Sequence, residues 1–363
     1  MIGDAKDVIS QQHTSELQRQ ENVSIPIYSK NHKRSTNFLN AISIPLLIDV
    51  NYLVIFSFSG VVTRYYLEVA FTRSDKQIKT DLYSVFFQDI YANIIGCFVM
   101  GFLAEYNTKI LITHKLSRLS NLFTVGLMTG FCGCTTTFSA WQYDSMYALV
   151  HGEVATFFFR EVLGLCLCYC FLVLGHDLAA MLATLQLYFF QPNCDNGEET
   201  TTIKFLWRVF IGLLFACNVG LTILFIVLLC TVPDASLKGL FASLLFAPFG
   251  CMLRYYFSIL NTKYSPKIPA FTLSANFIGV VLSGFVRITN ERYSSIHDNI
   301  AVKVLFLGMS AGFCGSLSTV SSFIEEIKTK IADVKWRYVY IITTFVSSCL
   351  VLLVILGSFV WTA

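Results

Sequence analysis

The chain has 363 residues, of which 55% are apolar and only 13% charged, with a mean hydropathy of +0.62. A soluble domain needs more charge than this to cover its surface, so composition disfavours one and points to an all-α polytopic membrane protein. The net charge of +3 is small and the basic residues sit mostly between apolar runs, which leaves no nucleic-acid footprint.

Residues 1–43 lack an apolar core and mix Lys, Arg, Glu, Gln and Ser, the composition of a disordered tail rather than of a cleavable signal peptide. A spanning helix needs about 20 apolar residues. Nine runs meet that requirement and are expected as transmembrane helices at 46–70, 85–106, 119–143, 154–176, 207–231, 238–260, 269–288, 301–325 and 337–361. An odd number puts the termini on opposite sides. Lys and Arg concentrate in the tail and in 107–118, 177–206, 261–268 and 326–337, so the N-terminus is expected in the cytoplasm and the C-terminus outside. The long connection 177–206 carries the breaker Pro192-Asn193-Cys194-Asp195-Asn196-Gly197 and reads as the end of one unit. The domains are then a cytoplasmic tail at 1–43, a four-helix half at 44–190, a loop and linker helix at 191–237, and a second four-helix half at 238–363. Eleven of the twelve cysteines lie in apolar stretches, and Cys166, Cys168 and Cys170 alternate along a helix, so they read as small packing residues rather than a metal site.

Three patterns occur twice in the same order. Gly60-x3-Arg64-Tyr65-Tyr66 recurs as Gly250-x3-Arg254-Tyr255-Tyr256, and Asn93-x-Ile95-Gly96-x4-Gly101-Phe102 recurs as Asn276-x-Ile278-Gly279-x4-Gly284-Phe285. Gly130-Phe131-Cys132-Gly133-Cys134-Thr135-Thr136-Thr137-Phe138-Ser139 recurs as Gly312-Phe313-Cys314-Gly315-Ser316-Leu317-Ser318-Thr319-Val320-Ser321. Ordered recurrence at near-constant spacing marks a duplication. Each half has four spans, so the extra fifth span turns the second half upside down and lets the halves pack about a pseudo-two-fold axis in the membrane plane. The glycines at 130, 133, 312 and 315, followed by hydroxyl residues, permit a broken helix at mid-membrane depth.

These motifs resemble the fluoride channel family, called Fluc in bacteria and FEX in eukaryotes, over roughly residues 45–176 and 238–361. The resemblance implies two narrow pores, fluoride passing along asparagine, phenylalanine rings and a hydroxyl track, and a central structural sodium ion. The sodium would be held by carbonyls of Gly133, Thr136, Gly315 and Ser318. Fluoride is strongly hydrated and must regain hydrogen bonds where it sheds water. Amides of Asn93 and Asn276 and hydroxyls of Thr137, Ser139, Thr319 and Ser321 can supply them, and phenylalanine rings present positive edges to an anion. Arg64 and Arg254 either draw anions into a vestibule or cap packed carbonyls, since a charge at that depth is costly unless it snorkels or pairs.

The halves differ where it matters. By the family's pairing of rings, one pore keeps Phe138 with Phe323, and the other is left with Val320 and Trp141. The last helix carries Thr344 and Ser348 on one face, matching the hydroxyl track, whereas an ungapped comparison puts Arg160 and Glu161 where Thr343 and Thr344 lie. One conducting pore and one degenerate pore are therefore expected, in a single-chain channel of the plasma membrane with lipid as its surroundings and fluoride as its cargo. The runner-up is a proton-coupled small-anion transporter, for which Glu161 and Arg160 are the internal candidates. A membrane scaffold without transport explains the duplicated polar motifs poorly. No nucleophile, base and orienting partner coincide as an enzyme requires.

Overall fold

The computed structural model describes residues 38–75, 89–113, 116–189, 201–265, 267–296 and 299–361, which are helical apart from short connections and contain no strand. Nine helices among them are long and apolar enough to cross a membrane: α1 Pro45–Phe71, α2 Ile90–Ile112, α3 Ser117–Val150, α4 Val154–Gln186, α5 Phe205–Thr231, α6 Ala235–Tyr264, α7 Ala270–Arg292, α8 Ile300–Lys330 and α9 Val334–Val360. The described residues from Leu46 onward form one compact body.

Several helices outrun their apolar cores. The helix containing α1 begins at Phe38, inside the expected tail, whose residues 1–37 lie outside the described residues. The helix of α4 continues to Phe189, so the first part of the expected 177–206 loop is helix, and the Pro192–Gly197 breaker falls outside the described residues. Hydropathy marks the stretch that needs hydrocarbon. Helix hydrogen bonding continues past it wherever good helix formers such as Ala179, Ala180, Met181 and Leu182 follow. Cys168 is buried while Cys166 and Cys170 are exposed, as alternation along a helix dictates.

Burial separates the linker from the rest. The most apolar stretch of α5 is only 6% buried inside the protein, against 50% for α2 and 61% for α3. Its Leu213, Phe215 and Ile223 are left to lipid. One side alone is anchored, by Phe225 edge-on to Phe58 at 5.1 Å and by Asn218 Nδ2 donating to the Asn51 carbonyl at 3.0 Å. By contrast α2 and α4 pack in near-backbone contact. A Cβ on Gly101 would lie 2.1 Å from the Leu172 carbonyl oxygen, and one on Gly175 would lie 2.1 Å from that of Phe98. Small residues at such crossings let helices approach where lipid supplies no hydrophobic drive between them.

The third helix of each half is broken. In α3 wide π-type turns over Leu122–Cys132 lead into one turn, Gly133–Thr135. The chain then goes extended at Thr136 (φ −87°, ψ 147°) and Thr137 (φ −140°, ψ 123°) and restarts as helix at Phe138–Val150. In α8 wide turns at Gly308–Cys314 precede a turn at Gly315–Leu317, an extended Ser318 (φ −84°, ψ 145°) and a restart at Ser321–Glu325. Each break falls at the hydroxyl residues, three positions after the glycine.

Candidate ion pathway at the paired helix breaks

A break in a buried helix exposes N–H and C=O groups that must find partners. The asparagine of the second motif supplies both. Asn93 Oδ1 accepts the Thr137 N–H at 2.8 Å and its Nδ2 donates to the Thr137 carbonyl at 3.2 Å; Asn276 does the same for Thr319 at 2.8 and 3.2 Å. The glycine three residues on makes room. A Cβ on Gly96 would meet Thr136 Cγ2 at 2.4 Å, and one on Gly279 would meet Ser318 Cβ at 2.9 Å. Thr137 and Thr319 then cap the restarted helices, accepting the N–H of Ala140 and of Ser322, each at 3.4 Å.

The two breaks meet face to face. Ser318 Oγ donates to Ser139 Oγ at 2.9 Å and accepts the Ser139 N–H at 3.0 Å. Reciprocally, Thr136 Oγ1 lies 3.1 Å from Ser321 Oγ and accepts the Ser321 N–H at 3.2 Å. Exchanging Thr136 with Ser318 and Ser139 with Ser321 maps one set of contacts on the other, as a two-fold relation requires. The arginines of the first motif also cross between halves. Arg64 donates to the Ala311 carbonyl, and Arg254 donates through Nη2 to the Thr129 carbonyl at 2.7 Å and through Nη1 to that of Gly133 at 2.5 Å. Both guanidinium groups thus take carbonyls freed by the wide turns, the capping role. Arg64 also borders a cavity of about 330 Å³ with Glu68, Asp89, Thr137, Arg287 and Ser310. Burial pushes the Asp89 carboxyl above the ordinary carboxylate range, against the pull of the Arg64 guanidinium.

The four carbonyls that the resemblance gives to sodium are unequal. Those of Thr136 and Ser318 sit on extended residues at the facing breaks, oxygens of the kind a buried cation takes. That of Gly133 already accepts Arg254, and Gly315 lies against the Arg64 guanidinium. Of the four, the Thr136 and Ser318 oxygens are the ones a sodium ion would take, since the Gly133 carbonyl is already engaged and Gly315 faces a guanidinium.

Beside the breaks stands an aromatic cluster. Phe138 and Phe323, both fully buried, have ring centroids 5.9 Å apart, and Phe345 of α9 meets them edge-on at 5.5 and 6.0 Å. Trp141 touches Phe138 at 5.9 Å and Phe345 at 5.4 Å, so it shares this cluster; Val320 lies in the same core. On α9, Thr344 and Ser348 are buried, their hydroxyls donating to the carbonyls of Tyr340 and Thr344 at 2.7 and 2.8 Å.

Sequence reasoning missed Tyr340 and Glu326 at the end of this column. Tyr340, one turn before Thr344, packs its ring 5.2 Å from Phe323 and donates its hydroxyl to Glu326 at 2.9 Å. Glu326 also accepts from Thr272 at 2.9 Å and pairs with Lys330 at 3.2 Å. The signal was available in part: Tyr340, Thr344 and Ser348 share one face at i, i+4, i+8.

The matching positions of the first half are occupied differently. Phe157, Glu161 and Leu165 stand 183 residues before Tyr340, Thr344 and Ser348. Glu161 accepts from Gln142 Nε2 at 2.9 Å. Asp144, the counterpart of Glu326, pairs with Arg287 at 2.9 Å instead of with a phenol, and the Arg287 guanidinium lies 4.6 Å over the Tyr143 ring. Arg160 donates to the Asp144 carbonyl at 2.6 Å.

Broken helices paired about a two-fold in a duplicated bundle define a polytopic membrane protein of inverted-repeat construction, its polar groups gathered at mid-depth. The chain belongs to the CrcB-like protein family, described as Camphor Resistance (CrcB), which matches residues 51–176 and again 241–358. Among similar curated proteins is Fluoride export protein 1 of Neurospora crassa, 28% identical over 375 aligned residues that cover 87% of this chain and 67% of the relative. Fluoride export protein 1 of Candida albicans is 27% identical, covering 75% of this chain and 72% of its own length. The Fluoride-specific ion channel FluC of Campylobacter hominis is 34% identical over 91 residues, 25% of this chain and 67% of its own. No solved structure matches the chain.

Proposed function

We propose that this protein is a passive fluoride channel, not an enzyme, that lets fluoride leave the cytoplasm across the plasma membrane through one working pathway. The names of its relatives support fluoride as cargo. The observation that carries the single pathway is the column formed by Phe138, Phe323, Tyr340, Thr344 and Ser348. Along it an anion would exchange water for ring edges and then for hydroxyls that turn from the helix backbone toward the ion. The matching positions Val320, Phe157 and Glu161 offer fewer donors, Trp141 packs into the Phe138 cluster instead, and Asp144 and Glu161 of the first half are paired with Arg287 and Gln142. Glu161, the candidate for proton coupling, stands in this half and off the hydroxyl column. A sodium ion on the Thr136 and Ser318 carbonyls would supply positive charge between the breaks. Since one chain holds both halves, it is taken to work as a monomer.

Neutral HF crosses lipid, dissociates at cytoplasmic pH and leaves fluoride trapped, so an open pore driven by a negative-inside potential suffices for export. Cells lacking the protein, and any redundant copy, are expected to grow poorly in acidic medium containing fluoride, and liposomes carrying the purified chain to release fluoride without a pH gradient. Flux that required a proton gradient would move the assignment to a coupled transporter.

The orientation we propose is N-terminus cytoplasmic and C-terminus external, from the basic residues of the tail and the connections. Epitopes at the two ends should be labelled from opposite faces; labelling of both from one face would remove this orientation.

A further inference from the structure

The restarted segment of α8 ends in two adjacent carboxylates that point different ways. Glu326 takes Tyr340, Thr272 and Lys330. Glu325 turns instead toward the first half, where its Oε2 lies 2.8 Å from His176 Nε2 on α4. The other ring nitrogen, His176 Nδ1, lies 3.1 Å from Glu105 Oε2 on α2. His176 and Glu325 are buried, at 4% and 8% exposure, and the close crossing at Gly101 and Gly175 brings α2 and α4 together beside them. The pathway described above makes no use of this cluster.

Its proton count is informative. A neutral imidazole has one N–H and one lone pair, so it donates to one carboxylate and turns a lone pair on the other. Carboxylate oxygens at hydrogen-bond distance from both nitrogens require one more proton, most simply an imidazolium donating in both directions. The charged groups around the ring are Glu105 with its partner Lys109 on α2, and Glu325 with Lys328 on α8. On α4 itself Asp177 is exposed, and the thiols of Cys97 on α2 and Cys168 on α4 are buried in the adjoining core.

We propose that protonated His176 is a positioning residue for ion passage, tying the Phe323-bearing segment of α8 to α2 and α4. Glu325 follows Phe323 by two residues, and Phe323 and Ile324 pack in one core with Cys168 and Leu172 of α4. When the ring loses its proton, one carboxylate faces a lone pair, the tie opens on that side, and the Phe323 ring loses its fixed place against Phe138. The direction suits the cargo. Each HF that dissociates inside the cell delivers a proton with its fluoride, so a fluoride load favours the clamped state. The inference rests on the fluoride-channel reading.

The test is fluoride efflux from liposomes containing the full chain, with pH set equally on both sides between about 6 and 9, a range around the ordinary histidine value. Wild-type flux should fall with rising pH, by up to about tenfold per unit above the midpoint, the limit for loss of one proton. In Glu105→Gln/Glu325→Gln a neutral ring donates to one amide oxygen and accepts from the other amide N–H, so the profile should be flat. If that double variant does not fold, His176→Gln takes its place with the same expectation. Flux present but flat in the wild type, or a pH step that survives in the variant, would overturn the clamp and leave the channel reading standing. Absence of fluoride flux at every pH would instead overturn the channel reading.

Discussion

Phe138→Ile and Phe323→Ile are each expected to abolish fluoride efflux from liposomes and fluoride resistance in cells. The two rings meet 5.9 Å apart with no exposure to solvent, and a partly dehydrated anion passing them can be met only by their positive edges. Isoleucine keeps much of the volume and removes the edge. Folding must be measured beside flux, because a change to a buried ring costs about 1–3 kcal/mol when neighbours relax incompletely. Val320→Ile should be nearly silent. Trp141 packs on both Phe138 and Phe345, so the second control is Trp141→Phe, which retains a ring there and should keep most of the flux. Equal loss of flux from all of these substitutions in folded protein would mean two comparable pores.

The spans and the duplication were legible because hydrocarbon imposes a length and a repeat leaves matching letters. Gly60, Arg64, Asn93, Gly96 and Gly133 each have a partner in the second half at nearly constant spacing. Much less of the chemistry was legible. Asn93 and Asn276 were visible as intramembrane amides, but nothing in the sequence says that both ends of each amide are engaged by the peptide at a break 43 or 44 residues away. Glu326 and Tyr340 escaped notice since a charge at the end of an apolar run looks like a solvated terminus; only folding brings the phenol against the buried carboxylate. His176, Glu105 and Glu325 come from three separate helices. No periodicity links them. The differences between halves, by contrast, could be read directly, since a substitution such as Val320 for a ring or Glu161 for a hydroxyl shows once the copies are aligned.

Asn93→Ala and Asn276→Ala provide the second large effect, and they separate a clamp from an ion ligand. Each alanine leaves a buried N–H and a buried carbonyl at the break without the amide, a penalty of about 1–3 kcal/mol per group. The geometry is the same in both halves, so both variants should melt earlier than the wild type in detergent, and by similar amounts. Asp at either position keeps the acceptor for the N–H, loses the donor for the carbonyl and buries a charge, so it should be no better tolerated than alanine. Flux should fall in both as well. Loosening either break misplaces the facing hydroxyls, because Thr136 bonds Ser321 and Ser318 bonds Ser139 across the two-fold. Both variants should therefore lose flux, even though only one pathway conducts. A variant that melted like the wild type while losing flux would show its amide to be an ion ligand rather than a clamp, and a loss confined to one asparagine would identify the half in which fluoride meets it.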